Sequence, residues 1–188
     1  LVSTEIMEPL LQIPFYEKRI PKGKLLLWNP AVDQLGWHVL IMTEFANRNG
    51  WHIGLKNPKW VGENLDVADS PTFKSQTTME KTWLGLGAYA AQMRDNLIFI
   101  HRGVDVPEKG DYRNMPVHEI AKRIKIQAGG KLYFDPSHSY GPKMRGDILQ
   151  GVIDAMKMKT SDEEYLYDGI LIEAGTSKTD TDQHISLK

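Results

Sequence analysis

Within Lys131 to Gly141, KLYFDPSHSYG, an apolar run ends abruptly in Asp135, Pro136, Ser137 and His138, ahead of a glycine. This pattern sets a carboxylate and an imidazole at the carboxyl end of an expected buried strand. A second run, Tyr167 to Glu173 (YDGILIE), delivers Glu173 in the same manner, and Asp180 and Asp182 follow in a short polar stretch. Neutral imidazole offers nitrogen and carboxylates offer oxygen, a mixture that suits a divalent cation of borderline hardness. An Asp-Pro-Ser run also serves as a plain turn, and a strand-end Glu is often only solvated, so both readings stay open at this point.

Two cations end apolar runs as well: Lys56 in GLKNPKW and Arg102 in IHRGV. Beside a His/Glu/Asp set they point to an anionic, phosphorylated ligand, since Arg grips phosphate bidentately and Lys supplies a point charge. The alternative is simple pairing with neighbouring strand-end carboxylates. Lys143 and Arg145 in GPKMRGD follow the DPSH stretch, where they either reach a phosphate or stand as solvated helix-start charges. Glu5 closes another apolar run and either joins the site or pairs with Lys24 or Lys56. His101 is read as a proton carrier or as a satisfied strand-end histidine. His38, His52, His118 and His184 show no partner spacing, and Trp28, Trp51, Trp60 and Trp83 are expected to pack rather than to bind.

Positioning such residues requires strands that end together. Strand-sized runs are expected at Leu1 to Ile6, Lys24 to Trp28, Trp51 to Lys56, Leu97 to His101, Lys131 to Asp135 and Asp168 to Glu173. Helical spacing of apolar residues is read over Asp33 to Asn47, Thr78 to Met93, Pro116 to Ile126 and Asp147 to Met158. Gly50 and Gly129–Gly130 stand where helices must stop, and Asp33 and Ser161 are candidate caps or turn formers. Strands alternating with helices predict a parallel α/β fold whose ligands lie at the carboxyl ends of the strands. The stretch from Asn57 to Gln76 is rich in Pro, Gly, Asp and Ser and is expected to be irregular, as a lid or a connector.

Composition sets outer bounds. With 188 residues, 41% of them hydrophobic, the chain can bury a substantial core as one domain over 1–188. A net charge of −1 argues against electrostatic binding of nucleic acid, and no apolar run reaches the roughly 20 residues of a membrane span. With no cysteine, disulfides and thiolate chemistry are excluded. A cytoplasmic location is the expectation.

Taken in order, STEIMEP, GLKNPKW, IHRGV, RNMP, FDPSHSYG and ILIEAG with an acidic tail resemble the later strands of the 3-deoxy-7-phosphoheptulonate synthase family. That resemblance spans essentially the whole chain and implies a TIM (β/α)8 barrel that condenses phosphoenolpyruvate with erythrose 4-phosphate, an early step of aromatic amino-acid biosynthesis. It further implies His138, Glu173 and Asp180 as ligands of a divalent metal, Mn2+ foremost, with Fe2+, Co2+ or Zn2+ as substitutes. Asp180 enters because Asp180–Thr–Asp–Gln183 resembles the family's Asp-Gly-x-Gln tail better than a register from Asp182. Lys56 and Arg102 would hold the carboxylate and phosphate of phosphoenolpyruvate, Lys56 and His138 being the catalytic pair, with Glu5, Lys143 and Arg145 at the substrate. A homo-oligomer is implied.

The chain also departs from that pattern. Two strands that open the family's barrel, with a metal-binding cysteine and a Lys-Pro-Arg-Thr segment, have no counterpart, so an incomplete barrel of the last six βα units is expected. Where the family has Gly-Ala-Arg, this chain has Trp28, Asn29 and Pro30. The sister family of 3-deoxy-octulosonate 8-phosphate synthases and a non-catalytic barrel remnant are the alternatives.

Overall fold

A computed structural model of the chain describes residues 1–30, 35–175 and 184–186. Six strands, β1 (Val2–Glu5), β2 (Leu25–Asn29), β3 (His52–Lys56), β4 (Leu97–His101), β5 (Lys131–Phe134) and β6 (Gly169–Ile170), form one sheet in sequential order. Every pairing is parallel. Helices α1 (Pro9–Glu17), α2 (Gly36–Asn49), α3 (Leu65–Ala68), α4 (Thr78–Tyr89), α5 (His118–Ala128), α6 (Pro136–Tyr140) and α7 (Ile148–Ala155) occupy the connections. A small parallel pair, β7 (Ala174–Gly175) with β8 (Ile185–Ser186), stands apart. The sheet curls into a half-barrel.

Alternation along the strands sorts side chains to two faces. Leu25, Leu27, Ile53, Leu55, Leu97, Phe99, Leu132 and Phe134 pack beneath the helices in the main core, with Trp51 and Trp83 fully buried among them. On the inner face Leu26, Ile98 and Ile100 form a smaller cluster with Trp28, Tyr133 and Leu171. Gly54 belongs to that face: a Cβ there would sit 2.6 Å from Ile100 Cδ1, so only glycine lets the neighbouring strands' side chains meet across β3.

Among the described residues neither β1 nor β6 has a further strand beside it, so both sheet edges are open. Leu1 and Ser3 on one side and Gly169 to Ile172 on the other line a single cavity of about 490 Å³, floored by Leu26 and Tyr133. Leu1, Val2 and Ile172 are exposed, as are Leu10, Leu11 and Phe15 on α1. No helix among the described residues is long and apolar enough to cross a membrane.

Helix boundaries follow local chemistry. Gly50 and Gly129 end α2 and α5 in the left-handed conformation, at φ 62° and 61°, as expected of glycine stops. A reciprocal capping box starts α4: the Thr77 side chain accepts from Glu80 N at 3.2 Å while Glu80 Oε2 accepts from Thr77 N at 2.9 Å. The fully buried Glu80 is neutralised by Arg123, whose Nε lies 2.8 Å away.

Several expectations shift. α1 falls in a stretch where no helix was expected, because Pro9 and Pro14 obscure its periodicity; Pro9 opens the helix, where proline is well tolerated, and Pro14 lies inside it. The segment expected to run helically to Met93 leaves α-geometry at Tyr89 and continues as a 3₁₀ turn over Ala91–Asn96. The sixth strand pairs over two residues rather than six. DPSH opens a short helix, not only a turn. Asn57 to Gln76 is irregular but for α3. Asp33 lies outside the described residues, and Ser161 sits in a turn.

Candidate functional site

The carboxyl ends of β2 to β6 are stitched together strand to strand, by polar side chains that grip the next backbone and, between β4 and β5, by a backbone hydrogen bond. Asn29 Oδ1 accepts from Lys56 N at 2.9 Å. One strand further, Asn57 Oδ1 accepts from Arg102 N at 2.7 Å while its Nδ2 donates to Gly103 O at 2.9 Å. Asp135 N donates to His101 O at 2.8 Å, and Ser137 Oγ accepts from Glu173 N at 3.0 Å. Asn29, Asn57 and Ser137 are buried, so these bonds form away from competing water. Consequently the backbones of Lys56, Arg102, Asp135 and Glu173 are each fixed from the preceding strand's end.

Lys56 is 1% exposed, and its Nζ lies 2.9 Å from Asp135 Oδ2. It also lies 3.3 Å from His138 Nδ1, and 3.8 Å above the centroid of the Trp28 ring. Burial draws the ammonium below its ordinary pKa, and Asp135 pulls in the opposite direction. Burial by itself would raise the Asp135 carboxyl, but the charge of Lys56 and the contacts of His138 outweigh it and hold the group well below the usual carboxylate range. Asp135 is therefore an anion committed to its neighbours. Its Oδ1 also caps α6 by accepting from His138 N at 3.0 Å.

His138 Nδ1 stands 2.9 Å from Asp135 Oδ2 and 3.3 Å from Glu173 Oε1. The carbonyl of His138 accepts from Asn114 Nδ2 at 2.7 Å, which ties α6 to the loop that follows β4. Gly103 permits that approach, since a Cβ there would lie 2.3 Å from Asn114 O.

Arg102 is 6% exposed, and among the described residues no carboxylate lies within ion-pair distance of its guanidinium. Its Nε is buried without a hydrogen-bond partner. Burial lowers its pKa; Asp135 opposes this and Arg113 reinforces it. Glu5, at the end of β1, acts on both Lys56 and Arg102 through its charge.

The structure thus brings Lys56, Arg102, Asp135, His138 and Glu173 to one end of the half-barrel, with Glu5 within their field. Lys143 lies outside this group: it is exposed, 3.3 Å from the equally exposed Asp111, and lines a separate surface cavity with Arg113 and Tyr140. Arg145 starts the 3₁₀ turn before α7. Asp180 lies outside the described residues.

A metal can be held only if donors converge. Among the described residues no three His, Cys, Asp or Glu side chains do so. His138 and Glu173 nevertheless present an imidazole and a carboxylate side by side, a donor pair that fits a cation of the Mn2+ or Fe2+ type.

Sequence reasoning passed over Asn57, Asn114 and Ser137, which orient the site. His118, which shows no partner spacing in the sequence, joins His101 on the opposite face through Tyr167. Tyr167 Oη lies 2.8 Å from His101 Nδ1 and 2.7 Å from His118 Nδ1. A hydroxyl donates once, so at most one imidazole accepts its proton while the other donates to its oxygen. Burial lowers the pKa of His101 well below the usual value and brings that of His118 to about 4. No protein-family model matches the chain, and no curated protein matches it in sequence.

Proposed function

We propose that the stitched mouth binds phosphoenolpyruvate and is the catalytic end of a TIM-type barrel of the 3-deoxy-7-phosphoheptulonate synthase kind. The supporting observation is Arg102: a buried guanidinium without an acidic partner carries a large solvation cost, and an anionic ligand offsets it. Lys56 provides a second cation nearby, and Asp135 opposes the lowering of its pKa by burial. Between them they hold a phosphate and a carboxylate, which lowers the entropic cost of bringing two anionic substrates together.

In the reaction proposed, the enol carbon of phosphoenolpyruvate bonds to the aldehyde carbon of erythrose 4-phosphate. Water adds to the former enol-phosphate carbon, and inorganic phosphate leaves. His138 and Glu173 would hold a divalent metal, with Asp180 as the third ligand in this reading. When bound, such a metal supplies Lewis acidity toward an aldehyde oxygen. The chain's own groups do the rest: Arg102 and Lys56 fix the enol phosphate, and Asp135 holds Lys56 and His138 in register. A cytoplasmic homo-oligomer acting on phosphorylated small molecules completes the reading, and the two open sheet edges favour association.

Titration of the chain with Mn2+ and phosphoenolpyruvate, followed by an assay of phosphate release with erythrose 4-phosphate, tests the proposal. Thermal stabilisation by both ligands and turnover are expected. His138→Ala should abolish the metal-dependent turnover with little loss of fold. Release only with a five-carbon aldose phosphate would move the chain to the octulosonate branch. Ligand binding without turnover would favour the second reading, a barrel remnant that binds but does not catalyse, which the open edges support. Absence of any binding would reject the synthase reading.

A further inference from the structure

Trp28 has a role that its place in the inner cluster does not exhaust. Its side chain comes from the last turn of pleat in β2, the strand next to β3, and its ring face lies under the Lys56 ammonium at 3.8 Å. The same ring meets His138 edge-on, with centroids 6.5 Å apart and planes at 79°. One indole therefore touches both side chains that the proposed chemistry depends on. Beneath it lie Leu26, Ile98 and Ile100, all nearly or fully buried, so the ring has an apolar floor that fixes its tilt.

An ammonium in this position needs stabilisation that does not consume its protons. Asp135 pairs with it at 2.9 Å, and His138 Nδ1 lies within hydrogen-bond distance at 3.3 Å. A second carboxylate in place of the ring would take an ammonium proton and would compete directly with an incoming anion. The quadrupole of an aromatic face attracts the cation without acting as a strong acceptor, and this attraction grows when the pair is desolvated. Here Lys56 is 1% exposed. The ring thus takes none of the ammonium protons, leaving to a ligand whatever Asp135 and His138 do not use, and it blocks the lysine from folding toward β2.

We propose that Trp28 is a positioning residue for an anionic ligand at the Lys56–Arg102 pair, acting through its ring face on the Lys56 ammonium. This rests on the phosphoenolpyruvate reading and adds to it a residue at a position where the resembled family carries no tryptophan. The ligand class that benefits is a small dianion or trianion bearing phosphate, which makes use of several N–H donors at once.

Calorimetric titration of the full chain with phosphoenolpyruvate, comparing wild type, Trp28→Phe and Trp28→Leu, tests the assignment. Phe keeps an aromatic face and loses the indole N–H; Leu keeps an apolar filler and loses the face. Affinity is expected to fall about tenfold in the Leu variant and no more than about threefold in the Phe variant, within the range of a desolvated cation–π contact. Thermal unfolding of each variant reports the packing contribution separately. Equal affinities in all three proteins would overturn the proposal. So would equal losses in the two variants, which would assign the effect to the N–H or to packing. In either case, binding by the wild type leaves the phosphoenolpyruvate reading standing, whereas no binding by the wild type removes that reading and this inference together.

Discussion

His101 and Arg102 are neighbours in the chain, yet they belong to two buried polar groups of opposite character. On the helix side, His101 shares the Tyr167 hydroxyl with His118, and the whole assembly is neutral. At the mouth, Arg102 joins Lys56, Asp135, His138 and Glu173, where charges are packed within a few ångströms of each other. The outer group balances its charge within the fold, although His101 Nε2 is buried without a hydrogen-bond partner. The inner one does not, since the Arg102 guanidinium has no acidic partner among the described residues. A protein that needed polar groups only for packing would use the outer solution on both faces. Burying an unmatched cation is costly unless something else is to be bound.

The sharpest way to break this contrast is Asp135→Ala. It strands Lys56 in the interior and should cost about 3–5 kcal/mol, seen as a fall in Tm of roughly 10 °C. A fall of a degree or two would mean that the inner charges are not closely coupled. Next in size is the pH response of the outer group. The folded pKa of His118 is about 4, below its ordinary 6.5, so the unfolded chain binds more protons between those values. Stability is then full above pH 6.5 and declines on acidification toward pH 4, by roughly 3 kcal/mol for this group. The lowered pKa of Asp135 acts in a lower window, with stability lost as pH falls below 3.8. Denaturant midpoints measured from pH 7 to pH 3 separate the two regions, and His118→Phe should reduce only the upper response, leaving the share that His101 contributes.

Tyr167→Phe removes the shared hydroxyl and leaves two imidazole nitrogens unmatched. A loss of about 1–3 kcal/mol is expected, with phosphoenolpyruvate affinity unchanged. Altered affinity would show that the two faces communicate. The smallest effect on stability should come from Arg102→Met, which removes an unmatched buried charge. Stability within about 1 kcal/mol of wild type, or above it, is expected, while phosphoenolpyruvate affinity falls tenfold or more. If Arg102→Met instead unfolds the chain, the arginine is structural and the comparison between the two faces fails.

Much of the framework was legible because strand-length apolar runs and glycine stops are local signals. Leu97 to His101 is a strand with the expected bounds, and Gly50 and Gly129 end helices as their φ freedom requires. The clustering of Lys56, Asp135, His138 and Glu173 was legible through a rule about parallel sheets rather than through any spacing. What escaped was cross-strand. Asn57 has no sequence mark to show that it would serve Arg102 from 45 residues away, and Tyr167 gives no sign that it would bridge two histidines. The α1 helix escaped because its prolines speak against a helix in isolation, whereas burial of Ile13 beneath it decides the matter in the fold.

The stitches between strand ends have a further consequence. Each joins only adjacent strands, so the mouth holds its geometry through nearest neighbours and does not depend on the sheet closing into a ring. In mechanical terms it is a chain of short links rather than a hoop under tension. A hoop fails everywhere once it is cut; a linked chain keeps every joint except the one that was opened. Strands could be added or removed at the β1 and β6 flanks, in evolution or by engineering, while the arrangement around Lys56 and His138 stayed as it is.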